Sequence, residues 1–429
     1  MRRFVCFGLL AALTFYGLSA QLSAQSIVGS TLQEQAVGSL GPWISGSDAI
    51  LVVDNTGRVQ ISRNAQQLMI PASTTKLLTT LITLDSWGAN HRWQTPIVLD
   101  QQTLWILGRG DPFLISEELV LLAEQIAQKV EQPITTIVID STYFDVSESL
   151  HRSVVDDPYA APLSATAANF NTVQLRRTAS GFESGEPQTP LTAIAQQVGA
   201  NVVQAGGFPL GGVKRINLHT AKNAQRFFGE LLIELLRQTH PRSLASSVEV
   251  TIVAADSPHS KPVVPEHGQR WTYYNSREWS QMLQGALKYS NNFITDQAFL
   301  MLSDQTPKTF TRAQVRVREW LQEQMGWSTF SVVDGSGLSR DNRLSVTHLN
   351  DVLTRLRGHK SLLREYPFPD LDATVFAKTG TLDNVRSMAG YVDIADQQYQ
   401  FAFIFNRSTP WQHREKTLHA LVQKLASRQ

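Results

Sequence analysis

Residues 71–80 read PASTTKLLTT, a stretch that places a serine and a lysine three residues apart where an apolar segment begins. Pro71 is suited to end a loop before a helix, and leucines follow Lys76 at mostly helical spacing as far as Gly88. Side chains three residues apart share one face of a helix, so Ser73 and Lys76 are expected to lie side by side. The stretch predicts a largely buried helix with either a capping serine and a solvated lysine, or a nucleophile beside its base.

The second interpretation is chemically reasonable. A serine hydroxyl is a weak nucleophile and needs a base. Lysine becomes a base when burial, a nearby cation or a helix N-terminus lowers its pKa. As a string, however, S-x-x-K is expected by chance in a chain of 429 residues. Ser73 and Lys76 alone therefore do not distinguish the capping interpretation from the catalytic one. That distinction depends on other segments of the sequence.

The N-terminus has the order of a secretory signal peptide: two arginines, an apolar run, then small residues. We expect cleavage after Ala20 or Ala24, so that residues 1–24 are removed and the protein is exported. A retained membrane anchor is the alternative, but the apolar run over residues 4–18 is short for a membrane span. No integral membrane span is therefore predicted after cleavage.

Composition argues against several kinds of site. Cys6, the only cysteine, lies inside the signal peptide, so the remaining chain has no disulfide and no cysteine metal site. The ten histidines show no spacing typical of metal ligands, and neither a metal nor another cofactor is predicted. The formal charge is +1, and about −1 without Arg2 and Arg3, which gives no electrostatic argument for nucleic acid as a partner.

Both ends of the chain carry strand patterns. Residues 50–62 predict a hairpin, because two β-rich runs flank the turn signal Asn55-Thr56-Gly57. Residues 373–379 predict a strand, and 387–394 with 399–406 predict a second hairpin. Amphipathic patterns predict helices over 276–288, 293–302, 311–325, 346–357 and 411–426. The arrangement indicates one sheet assembled from both ends of the chain, with helices between.

The pattern of the sequence changes over residues 96–265, which we interpret as an inserted region. Its predicted elements are strands at 103–107, 134–140 and 248–254 and helices at 115–130 and 222–239. Residues 145–220 are rich in Gly, Pro, Ser and Thr, with short β-like runs and no long period. The insertion is therefore predicted to be mixed α/β.

Two further segments have residues suited to chemistry. Residues 289–293, YSNNF, place Ser290 and Asn292 on a turn between two helices, with ordinary turn chemistry as the alternative. Residues 376–382, FAKTGTL, put Lys378-Thr379-Gly380-Thr381 at the end of a β-rich run, where a strand ending in a glycine turn is the alternative. A glycine lets a substrate approach a strand edge, and the lysine and threonine offer a charge and a hydroxyl to a carboxylate.

S-x-x-K, S-x-N and K-T-G in this order are the signature of penicillin-binding proteins and class A β-lactamases. Further matching segments are LGRGDPFL at 107–114, IVIDSTYFD at 137–145 and VDGSGLSRDNRLS at 333–345. With these, the chain resembles the class C low-molecular-mass penicillin-binding proteins, the D-alanyl-D-alanine carboxypeptidase/endopeptidase family, from about residue 40 to 410. The resemblance implies an α+β fold: an antiparallel sheet with helices on both sides, as in penicillin-binding proteins and β-lactamases, interrupted by the insertion.

The resemblance also implies a role for each matching residue. Ser73 would be acylated by a D-Ala-D-Ala peptide or by penicillin, and Lys76 would accept its proton. Ser290 would relay a proton to the leaving group, and Asn292 would bind the substrate amide or Lys76. The substrate-binding residues implied are Lys378 and Thr379 for the terminal carboxylate, Thr381 for the oxyanion hole together with the Ser73 backbone, and Asp140 for the free amine of the stem peptide.

Alternatives stay open at this point. A turn at the end of a strand explains Asp140 equally well. The leading expectation is a serine D-Ala-D-Ala carboxypeptidase, with endopeptidase activity left open. An idle penicillin-recognising wall protein and a β-lactamase or esterase on the same fold are the alternatives.

The same resemblance implies partners, a location and a division of the chain. The partners would be peptidoglycan stem peptides and β-lactam antibiotics, at the periplasmic or cell-wall side of a bacterial inner membrane. The oligomeric state is left open. The expected division is a signal peptide over 1–24, a penicillin-binding domain over 25–95 and 266–429, and an accessory insertion over 96–265.

Overall fold

The computed structural model describes residues 37–38, 40–147, 156–255 and 264–427. The predicted signal peptide and Cys6 lie outside these ranges. The described strands are β1 (Ala49–Asp54), β2 (Val59–Arg63), β3 (Gln94–Asp100), β4 (Thr103–Leu107), β5 (Ile134–Asp140), β6 (Thr172–Thr178), β7 (Gly181–Ser184), β8 (Val213–Asn217), β9 (Leu244–Val253), β10 (Gln269–Tyr274), β11 (Arg364–Phe368), β12 (Ala373–Leu382), β13 (Val385–Ile394) and β14 (Gln397–Phe405).

The helices lie between and after these strands along the chain. They are α1 (Thr75–Trp87), α2 (Ser116–Ala127), α3 (Ala193–Gln204), α4 (Ala221–Thr239), α5 (Trp279–Tyr289), α6 (Asn292–Met301), α7 (Phe310–Met325), α8 (Val346–Leu356) and α9 (Gln412–Ala426). Among the residues that the structure describes, no helix has the length and apolar character that crossing a membrane requires.

Two compact units divide the chain. The first comprises Met1–Pro71, Leu344–Lys360 and Glu365–Gln429, and the second Ala72–Arg343 and Ser361–Arg364. The first unit is built on a six-stranded sheet in the order β11-β12-β13-β14-β1-β2. Antiparallel pairing of β1 with β14, from Ala49 opposite Ile404 to Asp54 opposite Tyr399, joins the two ends of the chain and confirms the predicted assembly.

Helices cover both faces of this sheet, as predicted. Successive strand residues point to opposite faces, and β13 shows this clearly. Met388 and Val392 pack in a buried cluster with Leu421 and other apolar residues of α9. Tyr391, between them in sequence, donates its hydroxyl to the backbone oxygen of Leu353 on α8 at 2.6 Å. The two helices therefore lie on opposite faces.

The second unit contains two further sheets. A five-stranded sheet has the order β10-β3-β4-β5-β9, with β4, β5 and β9 parallel and the other pairs antiparallel. A three-stranded antiparallel sheet has the order β7-β6-β8. Both sheets share one buried cluster with α2, α3 and α4. The mixed α/β character predicted for residues 96–265 is thus confirmed for the described part of that range.

The expectation of no long period over residues 145–220 was wrong for part of that segment. Its described residues include the helix α3 and the strands β6 to β8. The apolar residues of α3, such as Ile194 and Val198, do follow helical spacing, but alanine, glycine and glutamine dilute the pattern. Close packing explains the glycine at position 199, because a Cβ on Gly199 would lie 2.8 Å from Leu175 Cδ1. Close packing on the small sheet therefore accounts for a glycine that weakens the helical pattern of α3.

Candidate active site

Ser73 lies in a 3-10 turn that leads directly into α1. Ala72–Thr74 forms this turn, and Ala72 has a left-handed φ of 50°. Thr74 occupies the N-cap position of α1, and its side chain makes no capping hydrogen bond. Ser73 is therefore not a capping serine, while the predicted buried helix is confirmed by Leu77 and its apolar neighbours.

Lys76 is completely buried and makes three polar contacts. Its Nζ lies 3.1 Å from Ser73 Oγ, 2.7 Å from Asn292 Oδ1 and 2.6 Å from the backbone oxygen of Ser336. The structure thus brings the predicted nucleophile, base and amide together within the second unit. The interpretation of Lys76 as a solvated side chain is wrong.

Burial has a direct electrostatic consequence for this amine. Transfer out of water disfavours the charged form of a lysine. Complete burial lowers the pKa of Lys76 to about 8, while the negative charges of Asp296 and Asp334 oppose the shift. About one tenth of such an amine is neutral at pH 7. Lys76 can therefore accept the Ser73 proton near neutral pH.

The S-x-N segment forms the predicted turn between two helices. Ser290 has a left-handed φ of 57° at the end of α5. Asn291 caps α6 by accepting a hydrogen bond from the Ile294 N–H at 3.1 Å. Asn292, the first residue of α6, therefore has a fixed direction: Oδ1 accepts from Lys76, and Nδ2 donates to the Tyr159 backbone oxygen at 3.1 Å.

The K-T-G segment belongs to the first unit, on the strand β12. Lys378 is buried, and its Nζ donates to the backbone oxygen of Thr379 at 2.7 Å. Thr381 is exposed and accepts a hydrogen bond from Arg414 at 3.1 Å. The β12 backbone pairs with β13 through the whole segment. The substrate-binding roles of Lys378, Thr379 and Thr381 stay predictions.

Asp140 lies at the end of β5 in the second unit, with only 4% of its surface exposed. Its Oδ1 accepts from the Thr142 N–H at 2.9 Å and from the Thr142 hydroxyl at 2.7 Å. This is the local turn geometry that short acidic side chains often form. Its second oxygen is not used in these two bonds, and its role as a ligand for a stem-peptide amine stays a prediction.

The sequence pattern of the D-Ala-D-Ala carboxypeptidase 3 (S13) family matches residues 39–367. The chain belongs to the S13 family. The match includes Ser73, Lys76, Ser290 and Asn292 but ends before Lys378. Membership confirms the predicted family and makes the protein a serine peptidase.

This S13 protein is similar to a known carboxypeptidase in sequence and to solved structures in fold. The D-alanyl-D-alanine carboxypeptidase of Actinomadura sp. (strain R39) is 25% identical, over 92% of this chain and 85% of the relative. Penicillin binding protein 4 from Haemophilus influenzae superposes with a TM-score of 0.68 at 18% identity, covering 89% of this chain and 96% of that chain. Its complex with a β-lactam gives 0.63 at 17% identity, covering 92% and 97%. The predicted fold class is confirmed.

The contact between Lys76 and the Ser336 backbone oxygen was not predicted from the sequence. The Ser336 backbone oxygen makes the shortest of the three Lys76 contacts, and a backbone carbonyl leaves no mark on residue identity. The only available signal was the run Asp334-Gly335-Ser336-Gly337, whose two glycines indicate tight backbone geometry. Within the described ranges, no group of three or more His, Cys, Asp or Glu side chains could hold a metal ion.

Proposed function

We propose that this S13 peptidase removes the terminal D-alanine from peptidoglycan stem peptides through an acyl-enzyme on Ser73, and that β-lactams acylate the same serine. One observation carries the proposal. Lys76 is buried, has a lowered pKa, and lies between the Ser73 hydroxyl and the Asn292 amide. A nucleophile within hydrogen-bond reach of a base that a third group orients is the arrangement that covalent catalysis requires.

Acylation follows from this arrangement. The Ser73 hydroxyl proton moves to Lys76 Nζ while Oγ forms a bond to the carbonyl carbon of the penultimate D-alanine. The backbone N–H groups of Ser73 and Thr381 stabilise the resulting oxyanion, each donor being worth about 3–4 kcal/mol of barrier. Ser290 relays a proton to the leaving nitrogen, the C–N bond breaks, and D-alanine leaves. With a β-lactam, the ring C–N bond breaks instead and the leaving group stays attached.

Hydrolysis of the acyl-enzyme completes the reaction: water supplies its oxygen to the carbonyl carbon and a proton to Ser73 Oγ. Lys378 and Thr379 hold the terminal carboxylate of the substrate, and Asp140 binds the free amine of the stem peptide. Cleavage of a D-Ala bond in a peptide crosslink would use the same acyl-enzyme, so we propose endopeptidase activity as a second activity of this site.

The location and the division of the chain belong to the same proposal. Residues 1–24 act as a signal peptide and the protein works on the periplasmic or cell-wall side of the inner membrane. Residues 25–95 and 266–429 form the penicillin-binding domain, and 96–265 the accessory insertion. The strands β3 and β10 pair with each other close to both junctions, which supports an insertion that leaves and re-enters at neighbouring points.

The proposal is tested with a fluorescent penicillin and a pentapeptide ending in D-Ala-D-Ala. We expect stable labelling and D-alanine release by the purified protein, both lost in Ser73→Ala. Ser86→Ala, which removes a hydroxyl bonded within α1, is the matched control and should retain both activities. Rapid penicillin turnover would indicate a β-lactamase, and labelling without peptide cleavage would indicate an idle penicillin-recognising protein. No labelling of the parent protein would reject the proposal.

A further inference from the structure

We propose that Thr79 and Asp296 are positioning residues that hold the Gly335–Ser336 segment so that its last carbonyl turns the amine of Lys76 towards Ser73. The inference rests on the proposed function, because it takes Lys76 to be the base. All of these residues lie in the second unit.

Lys76 Nζ has three hydrogen-bond partners of two kinds. As an ammonium group, the side chain donates one N–H to each of them. As a neutral amine it keeps two N–H groups and one lone pair. Asn292 Oδ1 and the Ser336 oxygen can only accept hydrogen bonds, whereas the Ser73 hydroxyl can also donate. With both accepting oxygens occupied, the lone pair is directed at the one partner that has a proton to give.

The Ser336 oxygen is useful only if it is held in place, and the preceding residue is anchored on both sides. The Thr79 hydroxyl donates to the Gly335 backbone oxygen at 2.7 Å. The Gly335 N–H donates to Asp296 Oδ1 at 3.0 Å. Both bonds are buried, so water does not compete for them. Both polar groups of Gly335 are therefore fixed by side chains of two different helices.

The same two helices hold the amine. Thr79 follows Lys76 by three residues on α1, and Asp296 follows Asn292 by four on α6. Residues at these spacings share one helix face. Helix α1 therefore carries the amine of Lys76 and, one turn later, Thr79, which binds Gly335. Helix α6 carries Asn292, which binds the amine, and, one turn later, Asp296, which also binds Gly335.

Two glycines allow the segment to approach so closely. A Cβ at Gly335 would lie 2.3 Å from the Thr295 backbone oxygen on α6. Gly337 has a φ of 76°, and a Cβ there would lie 1.9 Å from the Ala72 backbone oxygen beside the nucleophile. Asp334 Oδ1 accepts from the Gly337 N–H at 2.7 Å and closes the turn. The segment is thus packed between the Ser73 turn and α6.

Asp296 has a second effect, through its charge. Asp296 and Asp334 are the charged groups that raise the pKa of Lys76 against burial. Asparagine at position 296 keeps an oxygen that can accept from Gly335 but removes one negative charge. Alanine removes both. The pair of substitutions therefore separates positioning from charge.

The experiment measures the second-order rate of acylation by a fluorescent penicillin as a function of pH. The variants are Thr79→Val, Asp296→Asn and Asp296→Ala. Thr83→Val is the matched control, because Thr83 is a similarly buried residue on α1 whose hydroxyl donates to the backbone oxygens of Thr79 and Thr80 in its own helix. Thermal unfolding of Thr79→Val and Thr83→Val measures whether the two changes have similar effects on stability.

We expect the high-pH rate to fall at least tenfold in Thr79→Val and Asp296→Ala, since small misplacements of reacting groups cost up to about 100-fold. The acid limb should move to lower pH in Thr79→Val and Asp296→Asn, which weaken support for the ammonium form. Thr83→Val should match the parent. Equal rates and equal pH limbs for Thr79→Val and Thr83→Val would overturn the inference. An unlabelled parent protein would instead reject the proposed function.

Discussion

Lys76 is subject to two opposed effects. Complete burial favours the neutral amine, while Asp296 and Asp334 favour the ammonium form. Their carboxylates are themselves tied to the backbone: Asp296 accepts from Gly335 and Asp334 from Gly337. These bonds hold both carboxylates against the 334–337 turn. The amine can therefore stay buried in either protonation state while keeping the same partners.

This balance predicts the pH dependence of acylation. Only the neutral amine can accept the Ser73 proton, and the pKa of Lys76 is lowered to about 8. The acylation rate should rise with pH through that value and fall about tenfold per pH unit well below it. Lys76→Arg keeps a cation that does not deprotonate, so we expect a loss of about 10²–10⁴-fold. Stopped-flow labelling with a fluorescent penicillin measures both, and a rate that is flat across the pKa would contradict the prediction.

At the residue scale, the sequence predicts side-chain partners better than backbone ones. Ser73 and Lys76 share a helix face by spacing alone, and the three motifs in order select the family. Nothing comparable marks the Ser336 oxygen, because any residue supplies a carbonyl. Its position depends on tertiary contacts of Thr79 and Asp296, which are more than 200 residues apart.

At the scale of elements, α8 shows how a cap can make stability depend on pH. The Ser345 hydroxyl accepts from the His348 N–H at 3.1 Å, and His348 Nδ1 accepts from the Ser345 N–H at 3.2 Å. This reciprocal pair is a capping box. Burial lowers the pKa of His348 to about 4. A protonated imidazole could not accept at Nδ1, so the box needs the neutral ring.

Replacing this histidine tests the cap. The folded-state pKa of His348 lies below the unfolded value of about 6.5. The contribution of this cap to the stability of the fold is therefore fully present above pH 6.5. The contribution is lost as pH falls towards 4. In His348→Gln a glutamine can complete the box without titrating. We expect similar stability at pH 7 and an advantage of about 1–2 kcal/mol for the variant near pH 4. Urea unfolding at several pH values measures this. The exposed His359→Gln is the control, and a constant difference for His348→Gln across pH would count against the cap.

Elements with strong apolar runs were predicted to within a few residues, whereas α3 was missed. The predicted strands at 103–107 and 134–140 coincide with β4 and β5. Most residues of these strands are buried, and each strand contains a short apolar run, LWIL in β4 and IVI in β5. The helix α3 instead uses Gly199 where it packs on Leu175. Tertiary contact, rather than local propensity, determines that element.

At the scale of the whole molecule, buried hydrogen bonds connect the segments that follow β4 and β10. Asp111, in the turn after β4, and Asn275, just after β10, are both buried. Asn275 Nδ2 donates to both Asp111 oxygens, at 3.2 and 2.9 Å, and the Phe113 N–H donates to Oδ1 at 2.9 Å. These contacts join the turn after β4 to the segment after β10, near the two ends of the proposed insertion.

Ionisation of the buried Asp111 should make the stability of the fold depend on pH. Burial, with a smaller contribution from Glu118, raises its pKa to about 7 although Asn275 and Phe113 oppose the shift. A carboxyl group with a raised folded-state pKa stabilises the fold fully below its unfolded pKa of about 3.9, and that contribution is lost as pH rises through 7.

Asp111→Asn keeps an accepting oxygen and cannot ionise. The variant should therefore gain about 2–4 kcal/mol relative to the parent between pH 5 and pH 8. The exposed Asp370→Asn should show no such gain. Urea unfolding of the whole chain at both pH values measures the difference, and a parent-to-variant gap that does not change with pH would show that Asp111 is ionised in the folded protein throughout.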